Sequence, residues 1–504
     1  MARTRIAPSP TGFPHIGTIY QALFNKAYAL KTNGKFIWRL EDTDRSRYVD
    51  GAIEALREAF DWFKLEPDES IFVGGDYGPY RQSERLELYR KYVDKLISDG
   101  NAYYCFCTPE RLVKVRKEKQ ARKEIPMYDK HCRNLSKEEI EKNLNDGKSY
   151  VVRMKIPENK KIVCHDLVRG DIEFDSSVID DQVILKSDGF PTYHLAVVVD
   201  DHLMKITDIL RGAEWLTSLP KHKLLYDYLG WKMPRVVHTP LITNMDGSKL
   251  SKRHGHASVS WYRKKGFVPE AILNFISLLG WSHPEEKEIF SFEEFVSVFD
   301  LKDLSAVSPK FDLQKLTWMN GQYIKGMSNE LFIKNLLDWL EFNLNYKLED
   351  LSAFESDWHR KDYEMVKSFL TNLPDEKRSL FAEINKTRIK TFEDLLPMNS
   401  FFVNNLEIDL EMMNKFKTLD ENKGHLSWFK NEIDGINDWT LENLKKLEVK
   451  VKDRAAEIGW KIMEVFYPIR VSICRSTISP PLFESIYLLG KEKTLALLNE
   501  IIDI

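Results

Sequence analysis

The stretch Arg3-Thr4-Arg5-Ile6-Ala7-Pro8-Ser9-Pro10-Thr11-Gly12-Phe13-Pro14-His15-Ile16-Gly17-Thr18 decides how the chain begins to fold. Arg3 to Ala7 reads as a short buried strand. Pro8, Pro10 and Gly12 then end it, because neither prolines nor glycine sustain a sheet interior. After the loop, Ile16, Ile19, Tyr20, Leu23, Ala27 and Leu30 recur at helical spacing, which predicts a helix from about His15.

Working outward, Phe36 to Leu40 reads as a second strand ending in Glu41-Asp42-Thr43-Asp44, and Val49, Ile53, Leu56 and Phe60 mark another helix. Strand and helix alternating over short connections point to right-handed βαβ units on a parallel sheet. From Cys105 to Asp188 the pattern shifts to short strands, basic helices and turns, an α+β insertion. The apolar run Thr192 to Val199, closed by Asp200-Asp201, reads as a strand buried on both faces. Beyond Pro269 the spacing is helical, and strand-like alternation is scarce after residue 325. The expected order is an α/β domain over 1–104 and 189–255, the insertion at 105–188, a connecting region at 256–325 and an all-α part at 326–504.

At 504 residues the chain exceeds one ordinary core. Its 43% hydrophobic and 30% charged residues are an ordinary globular balance, which excludes disordered and collagenous classes. No apolar run approaches the ~20 residues of a membrane span. The N-terminus carries no apolar signal region, so a cytosolic protein with no membrane partner is expected. A formal net charge of −3 leaves a polyanion only local patches to bind. One lies between Arg111 and Lys123, with Lys114, Arg116, Lys117, Lys119 and Arg122. On composition alone it is a solvated helix paired with Glu110, Glu118 and Glu124.

Two segments can carry chemistry. A helix N-terminus presents unpaired N–H groups and a positive dipole end, which suit phosphate, and His15 stands in that turn with Gly17 behind it. Alone, such a histidine reads as readily as a cap. More than two hundred residues later comes Asp246-Gly247-Ser248-Lys249-Leu250-Ser251-Lys252-Arg253. A loop of this kind can close over a polyphosphate and offset the charge that builds there. Alone, it too reads as a solvated basic loop.

Together they resemble the two signatures of class I aminoacyl-tRNA synthetases: Ala7 to Thr18 the first, Lys249 to Arg253 the second. Leu40 to Arg45, Gly78 to Ser83, Asp188 to Ala196, Val199 to Met204 and Arg211 to Glu214 resemble the glutamyl branch, in its order. The resemblance implies a Rossmann-like catalytic domain, an acceptor-end-binding insertion, a stem-contact region and a helical anticodon-binding domain. It implies an ATP-binding set of Pro8, His15, Gly17, Thr18, Glu214, Leu241, Ile242, Lys249, Ser251, Lys252 and Arg253, of which His15, Lys249 and Lys252 are catalytic. The implied glutamate set is Arg5, Ala7, Ser9, Glu41, Tyr193 and Arg211: cationic forks and a phenol for carboxylates, an acid for the ammonium. It further implies ATP with Mg²⁺, tRNA(Glu), a monomer, and a role for the Arg111 to Lys123 patch at the tRNA acceptor end.

Charging of tRNA(Gln) stays open, because the helix near Val366 to Leu373 lacks an evident arginine and Cys474-Arg475-Ser476-Thr477 departs from the family's small-residue pattern. Two other readings are a relative that glutamylates a modified base, against which the helical part argues, and a non-catalytic tRNA-binding paralogue, against which the intact signatures argue. Finally, Cys105, Cys107 and Cys132 can supply three thiols of a structural Zn²⁺ site, the alternative being a metal-free lobe with ordinary reduced thiols. The family's usual histidine is Asn134 here, which leaves Tyr128, in a Tyr-x-x-x-Cys spacing, or His131 as the fourth ligand.

Overall fold

Strand β1 (Arg3–Ile6) stops where Pro8 removes an N–H donor, and helix α1 (Ile16–Lys31) carries the chain back to β2 (Lys35–Trp38). β1 and β2 pair in parallel, Arg3 opposite Lys35 and Ile6 opposite Trp38, as a helical crossover requires. Helices α2 (Ala52–Trp62) and α3 (Leu86–Ser98) follow, then the inserted strands. β3 (Ala102–Cys105) is succeeded by the capped helices α4 (Pro109–Ala121) and α5 (Lys137–Asn145), β4 (Val151–Met154), β5 (Lys161–Asp166), β6 (Gly170–Asp175) and β7 (Val183–Leu185). β3, β4 and β7 form an antiparallel sheet, and β5 and β6 an antiparallel pair. The α/β pattern resumes with α6 (Tyr193–Leu203), β8 (Asp208–Gly212), α7 (Leu219–Tyr228) and β9 (Arg235–Thr239), with β8 parallel to β9. The Thr207 N–H donates to the Arg3 carbonyl at 3.0 Å, so β8 begins beside β1.

The structure, a computed structural model, describes residues 1–250, 257–346, 358–403, 407 and 409–504. It divides into two compact units, Met1–Val259 with Leu273–Asp312, and Ser260–Ile272 with Leu313–Ile504. The described residues of the second unit hold no strand. Its helices, among them Asn329–Asn345, Leu419–Asp434, Ile462–Cys474 and Lys491–Ile502, close over Phe332, Leu336, Phe429, Ile469 and Leu498. Ser328, Thr418 and Thr440 cap three of the helices through their hydroxyls. Among the described residues no helix is long and apolar enough to cross a membrane.

One expectation is overturned. Thr192 to Val199 is not a strand: Tyr193 to Leu203 is helix α6, and Asp200-Asp201 lies within it rather than ending it. Leu195 to Asp201 are all buried, and a helix covered on every side shows the same unbroken apolar run as a two-faced strand. Burial overrides the β-propensity of the three consecutive valines.

Candidate functional site

At the carboxyl ends of β1, β2 and β8 the first unit opens a cleft of about 550 Å³, lined by Arg5, Ala7, Ser9, Glu41, Tyr193, Arg211 and Glu214 among others. Its floor is a buried ion network. Arg5 donates from Nε and Nη2 to the two carboxylate oxygens of Asp201, at 3.0 and 3.2 Å. Arg39, fully buried, donates to Asp201 at 2.7 Å and to Glu41 at 3.2 Å. Asp200, the adjacent residue of α6, instead accepts from Arg85 at 2.7 Å, Tyr89 at 2.8 Å and Gln82 at 2.9 Å. Burial opposes ionisation of Asp201, but Arg5 and Arg39 outweigh it and hold its carboxyl below the usual range. Glu41 goes the other way. Burial pushes it up to about 7, only partly offset by Arg39 and Arg5.

Arg211, at the end of β8, donates to Tyr193 Oη at 3.3 Å. It also donates to His238 Nε2 and His222 Nδ1, both at 3.0 Å, and to the Trp215 carbonyl at 3.4 Å. The indole of Trp215 lies against the Tyr193 ring, centroids 4.3 Å apart. The Glu214 carboxylate folds back over Gly212, where a Cβ would meet its oxygen at 2.0 Å, so any larger residue there would displace the carboxylate.

His15 caps α1: its Nδ1 accepts the Gly17 N–H at 2.9 Å. The imidazole rests so close to the backbone that a Cβ at Gly17 would sit 3.1 Å from Nδ1. The second segment enters from Ile242 through a turn in which Ser248 donates to Asp246 from both its N–H and its hydroxyl, at 2.8 and 2.6 Å. Lys249 is exposed there, and Leu250 is buried. Ser251, Lys252 and Arg253 lie outside the described residues. Where the description resumes, the Ala257 carbonyl accepts the Ile16 N–H at 2.8 Å and the Val259 N–H donates to Pro14 at 3.1 Å. The chain leaving the second segment therefore returns against His15.

A model of the class I tRNA synthetase catalytic domain for E and Q matches residues 1–318, and an anticodon-binding-domain model matches residues 343–502. The chain belongs to the class I glutamyl- and glutaminyl-tRNA synthetases. Its relatives include a glutamate–tRNA ligase of Thermus thermophilus, 42% identical over 98% of both chains. One of Gloeobacter violaceus is 42% identical over 97% of this chain and 93% of that protein. The crystal structure of a glutamate tRNA ligase from Elizabethkingia meningosepticum, in complex with its amino acid, superposes with a TM-score of 0.86. It is 33% identical and covers 100% of this chain and 99% of that one.

The synthetase gathers its three inserted cysteines as their spacing predicts. The Cys105, Cys107 and Cys132 sulfurs lie within 4.8 Å of one another. Thiolates around a tetrahedral Zn²⁺ at ~2.3 Å stand roughly 3.8 Å apart, so this donor set fits the ion. The Tyr128 hydroxyl is 3.3 Å from both Cys105 and Cys107, while the His131 ring nitrogens stand outside the group. Arg111 of α4 pairs with Asp129 of the same lobe at 2.6 Å.

Sequence reasoning missed the supports of this synthetase's cleft: Arg39, Asp201, His222 and His238. Asp201 and Arg39 carried a legible signal, charged residues inside apolar runs, since burial obliges such groups to pair. The two histidines carried none, because their role depends on β8, β9 and α7 converging.

Proposed function

We propose that this glutamate–tRNA ligase activates L-glutamate with ATP and transfers it to the 3′-terminal ribose of tRNA(Glu), using the residues gathered in the cleft. The observation that carries this is the meeting of two guanidinium groups, a phenol and a carboxylate, Arg5, Arg211, Tyr193 and Glu41, in one cleft. Arg5, Arg211 and Tyr193 hold the two carboxylates, Glu41 holds the ammonium, and the backbone of Ala7 and Ser9 closes the near side. The α-carboxylate attacks the α-phosphate of ATP, and pyrophosphate leaves. A ribose hydroxyl then attacks the anhydride carbonyl, and AMP leaves. His15, Lys249 and Lys252 offset phosphate charge as it develops, while Pro8, Gly17, Thr18, Ser251 and Arg253 border the phosphates and Glu214, Leu241 and Ile242 the nucleoside. Catalysis is positioning and charge stabilisation, with no protein nucleophile. Mg²⁺ accompanies the ATP and spreads its charge.

The inserted lobe reads as the acceptor-end contact. In α4, Arg116 and Lys117 are exposed and no carboxylate of the described residues pairs with them, which suits phosphate. Its thiol cluster reads as a structural Zn²⁺ site completed by Tyr128. The residues beyond 325 read as the anticodon-binding part of a cytosolic monomer. Glutamate-dependent exchange of pyrophosphate into ATP, with and without tRNA, tests the reading: exchange that requires tRNA supports it, and none in either case removes it. Charging of purified tRNA(Glu) and tRNA(Gln) settles whether both are substrates.

A further inference from the structure

Arg211 differs from the other arginines of the cleft in what surrounds it. Arg5 and Arg39 share the Asp201 carboxylate, which cancels part of their charge. Among the described residues no carboxylate pairs with Arg211. Its side chain is instead held by His238 Nε2, His222 Nδ1, Tyr193 Oη and the Trp215 carbonyl.

An imidazole nitrogen that accepts from a guanidinium must carry a lone pair, so both rings are neutral and their tautomers are set. His238 keeps its proton on Nδ1, 2.8 Å from Asp166. His222 keeps its proton on Nε2, 3.2 Å from His194 Nδ1. Burial first, and then neighbouring cations including Arg211, push His194 and His222 down, His194 to about 3, and burial pushes His238 down against the opposing hydrogen bond of Asp166. Asp166, which ends this series of hydrogen bonds, is a full imidazole away from the guanidinium. It also accepts the His238, Val168 and Arg169 N–H groups.

We propose that His222 and His238 are positioning residues that hold Arg211 through neutral acceptors, leaving its charge uncompensated for a substrate carboxylate and so favouring an acidic side chain over its amide. The proposal rests on the assignment of Arg211 to the glutamate pocket. A carboxylate in the place of either ring would orient the guanidinium equally well but would cancel the charge that attracts a dicarboxylic amino acid.

The test compares His222→Asn, His222→Asp and His222→Leu in the full chain. Asparagine sets an amide oxygen near the position of Nδ1, and aspartate adds only charge to the same shape. Tm, kcat and KM for glutamate, for glutamine and for ATP are measured in tRNA-dependent exchange. H222N should stay within about tenfold of the unsubstituted enzyme in glutamate kcat/KM, the scale of one neutral hydrogen bond. H222D should lose roughly 10- to 100-fold through glutamate KM, with ATP KM unmoved and the glutamate-to-glutamine preference reduced. Should H222D not fold, H222L should raise glutamate KM where H222N does not. Equal preference in H222D and H222N, or an unchanged glutamate KM in H222L, overturns the proposal while leaving the glutamate pocket standing. Absence of glutamate-dependent exchange in the unsubstituted enzyme removes the pocket assignment and this proposal with it.

Discussion

Arg5 and Asp201 lie 196 residues apart in the chain and form a two-pronged pair, Nε to Oδ1 and Nη2 to Oδ2, with both side chains almost wholly buried. Asp201 also accepts from Arg39, so one carboxylate fixes a pocket guanidinium and the residue that steadies Glu41. Removing that charge leaves two buried cations without it. Asp201→Asn is expected to cost about 3–5 kcal/mol of stability, measured by chemical denaturation. Asp94→Asn, which breaks the exposed Arg90–Asp94 pair at 3.0 Å, is the control and should cost about 0–1 kcal/mol.

Glutamate binding should depend on pH through Glu41. Burial raises this carboxyl to about 7, and an ammonium is held only by its ionised form. Affinity should therefore be nearly level above that value and fall toward about tenfold per unit below it, as the proton must first be displaced. The same raised pKa stabilises the folded chain at low pH, a contribution lost as pH rises through about 7. Calorimetric titration of L-glutamate between mildly acidic and mildly alkaline pH checks the first point. Glu41→Gln should flatten the profile, and a profile unaltered by that change would remove Glu41 from the ammonium site.

Gly17→Ala separates placement of His15 from stability. The new methyl would lie 3.1 Å from Nδ1, so the imidazole must shift by a few tenths of an ångström. Exchange should slow by roughly tenfold, since small displacements of a positioned group are costly. Alanine in a helix is up to about 1 kcal/mol better than glycine, so Tm should hold or rise. A parallel fall of Tm and turnover would point to a folding defect instead.

The cysteine lobe should retain metal. Protein purified without chelators is expected to contain about one equivalent of zinc by elemental analysis, given the affinity of structural sites. Tyr128→Phe should lower that occupancy and His131→Ala should not, because only the tyrosine hydroxyl stands 3.3 Å from two of the thiols. Equal retention by both variants would exclude Tyr128 as a ligand.

Local pattern made much of this molecule legible beforehand. The β1–loop–α1 unit and the helical second unit follow from breakers and periodicity, which act over a few residues. The helix α6 was misread because an apolar run records burial and not the conformation that achieves it. The cleft residues were legible through motif context, while their supports were not. Nothing near Arg211 in the chain announces His238, since their meeting depends on the parallel register that sets the two residues opposite each other in β8 and β9.

Helix α6 also constrains how the chain can change. Tyr193 faces the cleft from its first turn, and Asp201 anchors Arg5 eight residues on, a rise of about 12 Å. Each added or lost residue between them would turn one partner about 100° relative to the other. An insertion would also set Asp200 before Arg5 where Asp201 belongs, and a deletion would set His202 there. Insertions and deletions should therefore be excluded from within this helix, so that its length acts as a ruler between the cleft and the ion network beneath.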